Sequence, residues 1–311
     1  MTNLLLTGAG FSYNWGGPLA ADVFSNLLTD NDIDDPTRRS LLEADGKGGF
    51  EKVLADLELS GDLDDKRRHG VLLTALAGMF NLLNGSFLQL KQFEFENPPD
   101  TRYWLHGFLS RFDAIFTLNQ DALLEIHYIP LVMNSRWGQA HLPGLKYLGN
   151  FQPTGSIHDR IAIMEPNPPE FRLAPGAQPY IKLHGSANWN EGGSGGRVLI
   201  MGGAKSASID RFAILRWYHK EFREMLMRSD ARLMVIGYGF GDEHINDAIL
   251  DGLNKKLKLF LVDPNGHRAL DADKRFEPFK HQLIGISRKS LTETFGGNRP
   301  EHNNLSKFFD R

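Results

Sequence analysis

Short apolar runs in this chain stop repeatedly at polar or glycine-rich turns, and this pattern constrains the fold more than any other feature. Residues Asn3–Thr7 run into Gly8-Ala9-Gly10, and Asp113–Thr117 run into Asn119-Gln120-Asp121. Tyr180–Leu183 end at His184-Gly185-Ser186, Arg232–Ile236 at Gly237-Tyr238-Gly239-Phe240-Gly241-Asp242, and Lys258–Val262 at Asp263-Pro264. Apolar runs this short, bounded by turn residues, read as buried strands. Helical spacing lies between them: Leu19, Val23, Phe24 and Leu27 after Pro18, then segments at 122–127, 210–228 and 243–252. Alternating strand, polar turn and helix predicts an α/β fold with a largely parallel sheet flanked by helices. Ligands of such sheets bind beyond the carboxyl ends of the strands. The polar clusters fall at those ends.

The intervening segments read differently. Residues 31–95 carry helical periodicity and form a smaller helical insertion. The charged stretch Asp62–His69 reads as a solvated helix start, and the apolar run 71–90 as a buried core helix or an oligomer face. Residues 129–178 are rich in Pro and Gly and read as a loop-rich segment. Gly192–Gly196 reads as a flexible linker, and 289–311 as a polar C-terminal tail. The sheet domain is thereby assigned to 1–30, 96–128 and 179–288.

Composition narrows the function. The chain has 311 residues, of which 41% are hydrophobic and 23% charged, as in a globular protein with a substantial core. Its 35 Lys and Arg against 38 Asp and Glu give a net charge of −3, which argues against a surface built to neutralise nucleic-acid phosphates. With no cysteine, disulfides, thiolate chemistry and Cys-ligated zinc or iron–sulfur clusters are excluded. Leu4-Leu5-Leu6 is too short for a signal sequence. The run 71–90 contains Thr74, Asn81, Asn84, Ser86 and Gln89, which argues against a membrane span. The expected location is the cytoplasm.

Candidate site residues come from the strand ends. Gly8 and Gly10 lack a Cβ and could let a pyrophosphate approach the backbone, with Ser12 adding a hydroxyl. The alternative is an ordinary tight turn, because Tyr13 stands where a dinucleotide fingerprint has its third glycine. Asn119 could orient a water or a ribose hydroxyl, or could cap a helix; capping is the stronger reading for Asp121. His184, before a Gly-Ser turn, is placed for general-base work or for a structural bond to backbone. Gly237, Tyr238 and Gly239 would give a nucleotide a second wall. Asp263 could reach a ribose or cap the turn at Pro264. His158-Asp159 and Asp242-Glu243-His244 lack metal-ligand spacing and read as loop and helix-cap residues, so no metal is expected.

Four of these motifs in order resemble the sirtuin-like (SIR2) superfamily. They are Gly8-Ala9-Gly10-Phe11-Ser12, Thr117-Leu118-Asn119-Gln120-Asp121, Lys182-Leu183-His184-Gly185-Ser186 and Ile236–Asp242. The stretch Lys182–Trp189 is most similar to the bacterial anti-phage defence branch. The resemblance implies a Rossmann-like domain that binds NAD through Gly8 to Ser12, Asp121, Gly237 to Gly239 and Asp263, with Asn119 and His184 catalytic. Deacylating sirtuins carry a four-cysteine zinc module, which this chain lacks, and Gly16-Gly17-Pro18-Leu19 replaces their Pro-Asp-Phe-Arg element. The implied activity is therefore NAD+ hydrolysis, controlled by self-assembly into a homo-oligomer or by a separate partner such as a HerA-type ATPase or an Argonaute-like protein. A catalytically silent NAD or ADP-ribose sensor and an NAD-dependent deacylase are the alternatives.

Overall fold

The computed structural model describes residues 1–96, 100–131, 136–192, 196–202 and 205–310. The expected linker at Gly192–Gly196 falls largely outside them. The strands are β1 (Thr2–Thr7), β2 (Ala114–Thr117), β3 (Gln139–His141), β4 (Leu145–Tyr147), β5 (Met164–Pro166), β6 (Ala177–Lys182), β7 (Gly185–Asn190), β8 (Arg197–Leu199), β9 (Ala231–Ile236), β10 (Lys258–Val262) and β11 (Leu283–Ser287). Seven form a sheet in the order β11-β10-β9-β1-β2-β6-β3. Every pairing in it is parallel. The fold is α/β and Rossmann-like. The chain leaves β1 toward β2 and β6, then returns to build β9, β10 and β11 on the opposite side. The strand order therefore reverses between β1 and β9, which makes their carboxyl ends the switch point where such sheets bind ligands.

The helices are α1 (Ala9–Ser12), α2 (Ala20–Thr29), α3 (Asp35–Ala44), α4 (Gly49–Leu59), α5 (Leu63–Leu88), α6 (Leu105–Leu109), α7 (Leu123–His127), α8 (Lys205–Arg211), α9 (Ala213–Leu226), α10 (Glu243–Asn254), α11 (Leu291–Phe295) and α12 (Arg299–Ser306). The alternation of β1 divides the core. Leu4 and Leu6 pack on one face with Leu215 and Phe222 of α9 and with Ile249 and Leu253 of α10. Leu5 points to the other face, with Phe108, Phe112, Leu291, Phe295, Leu305 and Phe308. A sheet buried on both faces needs apolar residues at every strand position, which is why β1 reads as a continuous run.

That second face corrects one expectation. Residues 289–310 are not a free tail: α11 and α12 cover the sheet. Leu291 and Phe295, and then Leu305 and Phe308, recur at helical spacing inside a segment whose average composition is polar.

Helices α2 to α5 form a separate lobe. Val23, Leu27, Leu41, Phe50, Leu54, Leu72 and Leu76 make its own apolar cluster. Helix α5 buries Leu72, Leu76, Phe80, Asn84 and Phe87 along one side. Contrary to the expectation from its polar residues, α5 is long and apolar enough to cross a membrane by length and composition alone; core helices pass the same test.

The segment after β6 also differs from expectation. Gly185-Ser186 is not a plain turn but the start of β7, in a second sheet ordered β4-β5-β7-β8. His184 therefore sits at the corner where the chain passes from one sheet to the other. Its carbonyl accepts from the Ile200 N–H at 2.9 Å. Gly185 is required there: its φ is +74°, and a Cβ would meet the Val198 carbonyl oxygen at 2.0 Å.

Candidate functional site at the strand switch point

Two glycine turns meet at the carboxyl ends of β1 and β9. The Gly8 N–H donates to the Ile236 carbonyl at 3.0 Å, and the Gly10 N–H donates to the Gly237 carbonyl at 3.0 Å. A Cβ on Gly8 would lie 2.6 Å from the Gly237 oxygen, and one on Gly10 would lie 2.8 Å from the Gly237 Cα. The glycines are thus needed so that two backbones can touch. Gly8 and Gly10 also line the cavities on either side of this contact. The N–H groups of Gly8, Gly10 and Phe11 bond to Ile236, Gly237 and Gly8. The helix that follows is a single turn, Ala9–Ser12, and the next long helix begins only at Ala20.

Two cavities open on either side of this contact. One, of about 390 Å³, is lined by Gly8, Ser12, Asn119, Asp121, His184 and Tyr238, among others. The other, of about 540 Å³, is lined by Gly10, Asp263, Arg288, Lys289 and Ser290, among others. Ala9, Gly237 and Gly239 line both, so the two form one cleft across the switch point. The helical lobe contributes Val23, Phe50, Glu51 and Phe80 to the wall of the first cavity. A larger groove of about 1380 Å³ runs between α2 and α5 and holds none of the expected site residues.

Asn119 follows β2. Its Nδ2 donates to Ser12 Oγ at 2.9 Å, and its N–H donates to Thr117 Oγ1 at 3.0 Å. That fixes the amide and leaves Oδ1 as an acceptor for a ligand. Asp121 lines the cavity, and its carboxylate accepts from the Leu123 N–H at 3.1 Å from the position before Ala122, the N-cap of α7. Phe11 was expected beside the cofactor, but its side chain is 1% exposed and packs in the core against Trp15. Asp263 follows β10 but is not at the last strand, since β11 pairs beyond it; its carboxylate accepts from the Asn265 N–H at 2.7 Å. The capping reading at Asp263 is thereby realised at the turn, while the side chain still lines the second cavity.

His184 is 4% exposed. Its Nε2 lies 2.9 Å from His244 Nε2. Burial, then the nearby Lys205, push its pKa well below the ordinary imidazole range. The ring is therefore held neutral, and the same surroundings make it a weaker base than a free imidazole. Sequence reasoning missed its surroundings. Asp242 occupies the N-cap position of α10, but its carboxylate makes no cap bond and pairs with Lys205. Lys205 also reaches Glu51 at 2.9 Å, which ties the helical lobe to the site. The acid-x-His spacing at 242–244 was the available signal, and it was read as capping only. His184, Asp242 and His244 present ligand atoms within 4.8 Å of one another, so this trio could approach a cation. Its carboxylate is already neutralised by Lys205, which weakens the fit.

Beneath the site, Lys182 is 0% exposed and pairs with Glu125 at 2.6 Å. Lys182 also donates to the Asp121 carbonyl, and Tyr180 donates to Glu125 at 3.1 Å. Burial pushes the Glu125 carboxyl up while Lys182 pulls it down. The pair ties the end of β6 to α7, and the Lys182 bond to the Asp121 carbonyl ties it to the turn after β2 that carries Asn119.

No family model matches the chain, and no curated protein matches it. Among solved structures, it is similar to one from a study of the mechanism and regulation of Sir2 enzymes, at 13% identity and a TM-score of 0.42, covering 98% of this chain and 93% of that one. It is also similar to a mutant Sir2 homologue complexed with 2'-O-acetyl ADP-ribose, at 12% identity and a TM-score of 0.45 over 98% and 93% of the two chains. A third is Sir2 with an inhibitor, 2'-O-acetyl-ADP-ribose and a deacetylated peptide, at 13% identity and a TM-score of 0.39 over 98% and 94%.

Proposed function

We propose that the protein hydrolyses NAD+ to nicotinamide and ADP-ribose. The observation that carries this reading is the shared cavity of Asn119 and His184, which come from the ends of different strands and meet at the switch point. The cleft continues past Ala9, Gly237 and Gly239 to Asp263, a path suited to a dinucleotide. The nicotinamide end lies with Asn119 and His184, and the adenosine end with Asp263. The sirtuin-like motifs at these positions support the same orientation.

In this reading the glycosidic bond to nicotinamide breaks, its electron pair leaving with the neutral base, and the ribose passes through an oxocarbenium-like state. Asn119 holds a ribose hydroxyl or the attacking water. Water forms the new bond to the ribose carbon, and His184 takes its proton, so NAD+ and water give nicotinamide, ADP-ribose and a proton. A placed general base contributes about 10²–10⁴-fold. Positioning in the cleft supplies further rate. The chain has no cysteine for the zinc module of deacylating sirtuins, which favours water over an acyl-lysine as acceptor.

Uncontrolled NAD+ loss is toxic to a cell, so the activity fits anti-phage defence in the cytoplasm, held in check by self-assembly or by a partner such as a HerA-type ATPase or an Argonaute-like protein. The test follows nicotinamide release from NAD+ by the purified protein, alone and co-expressed with its genomic neighbours. Release without any acyl-lysine peptide is expected. Tight ADP-ribose binding with no release under either condition would instead favour the silent sensor.

A further inference from the structure

At the end of the cleft away from His184, two neighbouring strands finish in opposite charges. Strands β10 and β11 run parallel with Val262 opposite Ser287, and the Asp263 N–H donates to the Ser287 carbonyl at 3.0 Å. The residues that follow this register are Asp263 and Arg288, and both line the 540 Å³ cavity.

The two side chains do not pair. Asp263 turns its carboxylate onto the Asn265 N–H at 2.7 Å, and the Gly266 N–H closes the same turn on the Asp263 carbonyl at 2.8 Å. The Arg288 side chain lies across that turn: a Cβ on Gly266, whose φ is +59°, would meet the Arg288 Nε at 2.7 Å. Among the described residues the Arg288 side chain has no hydrogen-bond or ion-pair partner. Lys289, which lines the same cavity, is engaged by Glu293 at 2.9 Å. Tyr13, 56% exposed, and Leu19 give the cavity an apolar wall on which a purine can lie.

In dinucleotide sites at strand ends, the group beside the adenosine ribose decides which dinucleotide fits. A carboxylate accepts from a 2'-hydroxyl, and an arginine accommodates a 2'-phosphate. Here the carboxylate is partly spent on its own turn, and the guanidinium beside it is free. A guanidinium stays charged and presents a planar fork of donors that matches phosphate bidentately.

We infer that the protein accepts NADP+ as well as NAD+, with Arg288 holding the 2'-phosphate. The inference rests on the proposed direction of the dinucleotide in the cleft. The chemistry is the same: water bonds to the ribose carbon as the glycosidic bond breaks, so NADP+ and water give nicotinamide, 2'-phospho-ADP-ribose and a proton.

Two measurements on the full chain test it. Calorimetric titration compares ADP-ribose with 2'-phospho-ADP-ribose, and nicotinamide release compares NAD+ with NADP+. Both ligands are expected to bind. Arg288→Ala should weaken 2'-phospho-ADP-ribose about 10–100-fold more than ADP-ribose, and shift the kcat/KM ratio of NADP+ to NAD+ by the same factor. Arg288→Lys, which keeps the charge without the fork, should restore part of the ratio. Asp263→Asn should shift it the other way, toward NADP+. ADP-ribose binding with no binding of its 2'-phosphate, or Arg288→Ala weakening both ligands equally, would overturn the inference and leave the NAD+ reading intact. Binding of both ligands with the Arg288 selectivity but no nicotinamide release would remove the hydrolysis reading and leave the Arg288 assignment standing. Neither ligand binding would overturn both.

Discussion

At one end of the switch-point cleft, His184 is 4% exposed and sits among His244, Lys205 and Asp242, over a fully buried Lys182–Glu125 pair. At the other end, Asp263 is half-buried, its carboxylate turns back onto the Asn265 backbone, and Arg288 and Lys289 stand at an open rim. The first end spends buried charge and fixed hydrogen bonds on holding a few atoms still. The second offers polar groups that a ligand can meet with little rearrangement. Chemistry needs the former, because misplaced reacting groups lose rate steeply. In the proposed reading, recognition of a distal ribose tolerates the latter.

The contrast can be broken most sharply by truncation. Asn119→Ala and His184→Ala are each expected to lower kcat for nicotinamide release by about 10²–10⁴-fold with thermal unfolding little changed. Asp263→Asn is expected to raise KM by about tenfold or less and to leave kcat alone. Equal effects at both ends, read from steady-state kinetics, would erase the distinction.

Next in size is the foundation of the buried end. Lys182→Met leaves Glu125 buried without its partner and is expected to cost about 3–5 kcal/mol of stability by denaturant unfolding. With burial pushing the unpaired Glu125 carboxyl up, the variant should recover part of this loss at acid pH, where the group binds a proton.

The contact between the two turns is the third test. Gly237 has φ +65°, and a Cβ there would lie 2.5 Å from the Phe11 nitrogen, whereas a Cβ on Gly239 meets nothing within 4 Å. Gly237→Ala is expected to cost about 1–3 kcal/mol, and Gly239→Ala well under 1 kcal/mol. Equal melting temperatures would contradict the packing role assigned to Gly237.

A fourth test is with pH. Burial holds the His219 pKa down at about 4. An unfolded imidazole titrates near 6.5, so the unfolded chain binds more protons than the folded one between those values. Stability is then full above about pH 6.5 and falls toward pH 4. His219→Gln should flatten part of that slope in melting curves taken across the range.

Much of the fold was legible because buried parallel strands leave an unbroken apolar signature. Leu4-Leu5-Leu6 and Met234-Val235-Ile236 could be read directly. The C-terminal helices were not, because Leu291, Phe295, Leu305 and Phe308 are diluted by polar neighbours, and average composition hides a four-residue stripe. Within the site, Asn119 and His184 stood out as polar residues at strand ends. Lys205 and Glu51 did not, because each reaches the cleft from a helix whose position depends on tertiary packing. The glycines were legible, but their packing role was not. Sequence shows that a Cβ is absent, but only the meeting of the two turns shows what occupies its place.

A crystal structure of the catalytically impaired His184→Ala protein with NAD+ tests the central claim most directly. The account predicts the nicotinamide ribose beside Asn119 in the 390 Å³ cavity, the pyrophosphate passing Ala9 and Gly239, and the adenosine ribose beside Asp263. Dinucleotide bound in the reverse sense, or in the groove between α2 and α5, would contradict it.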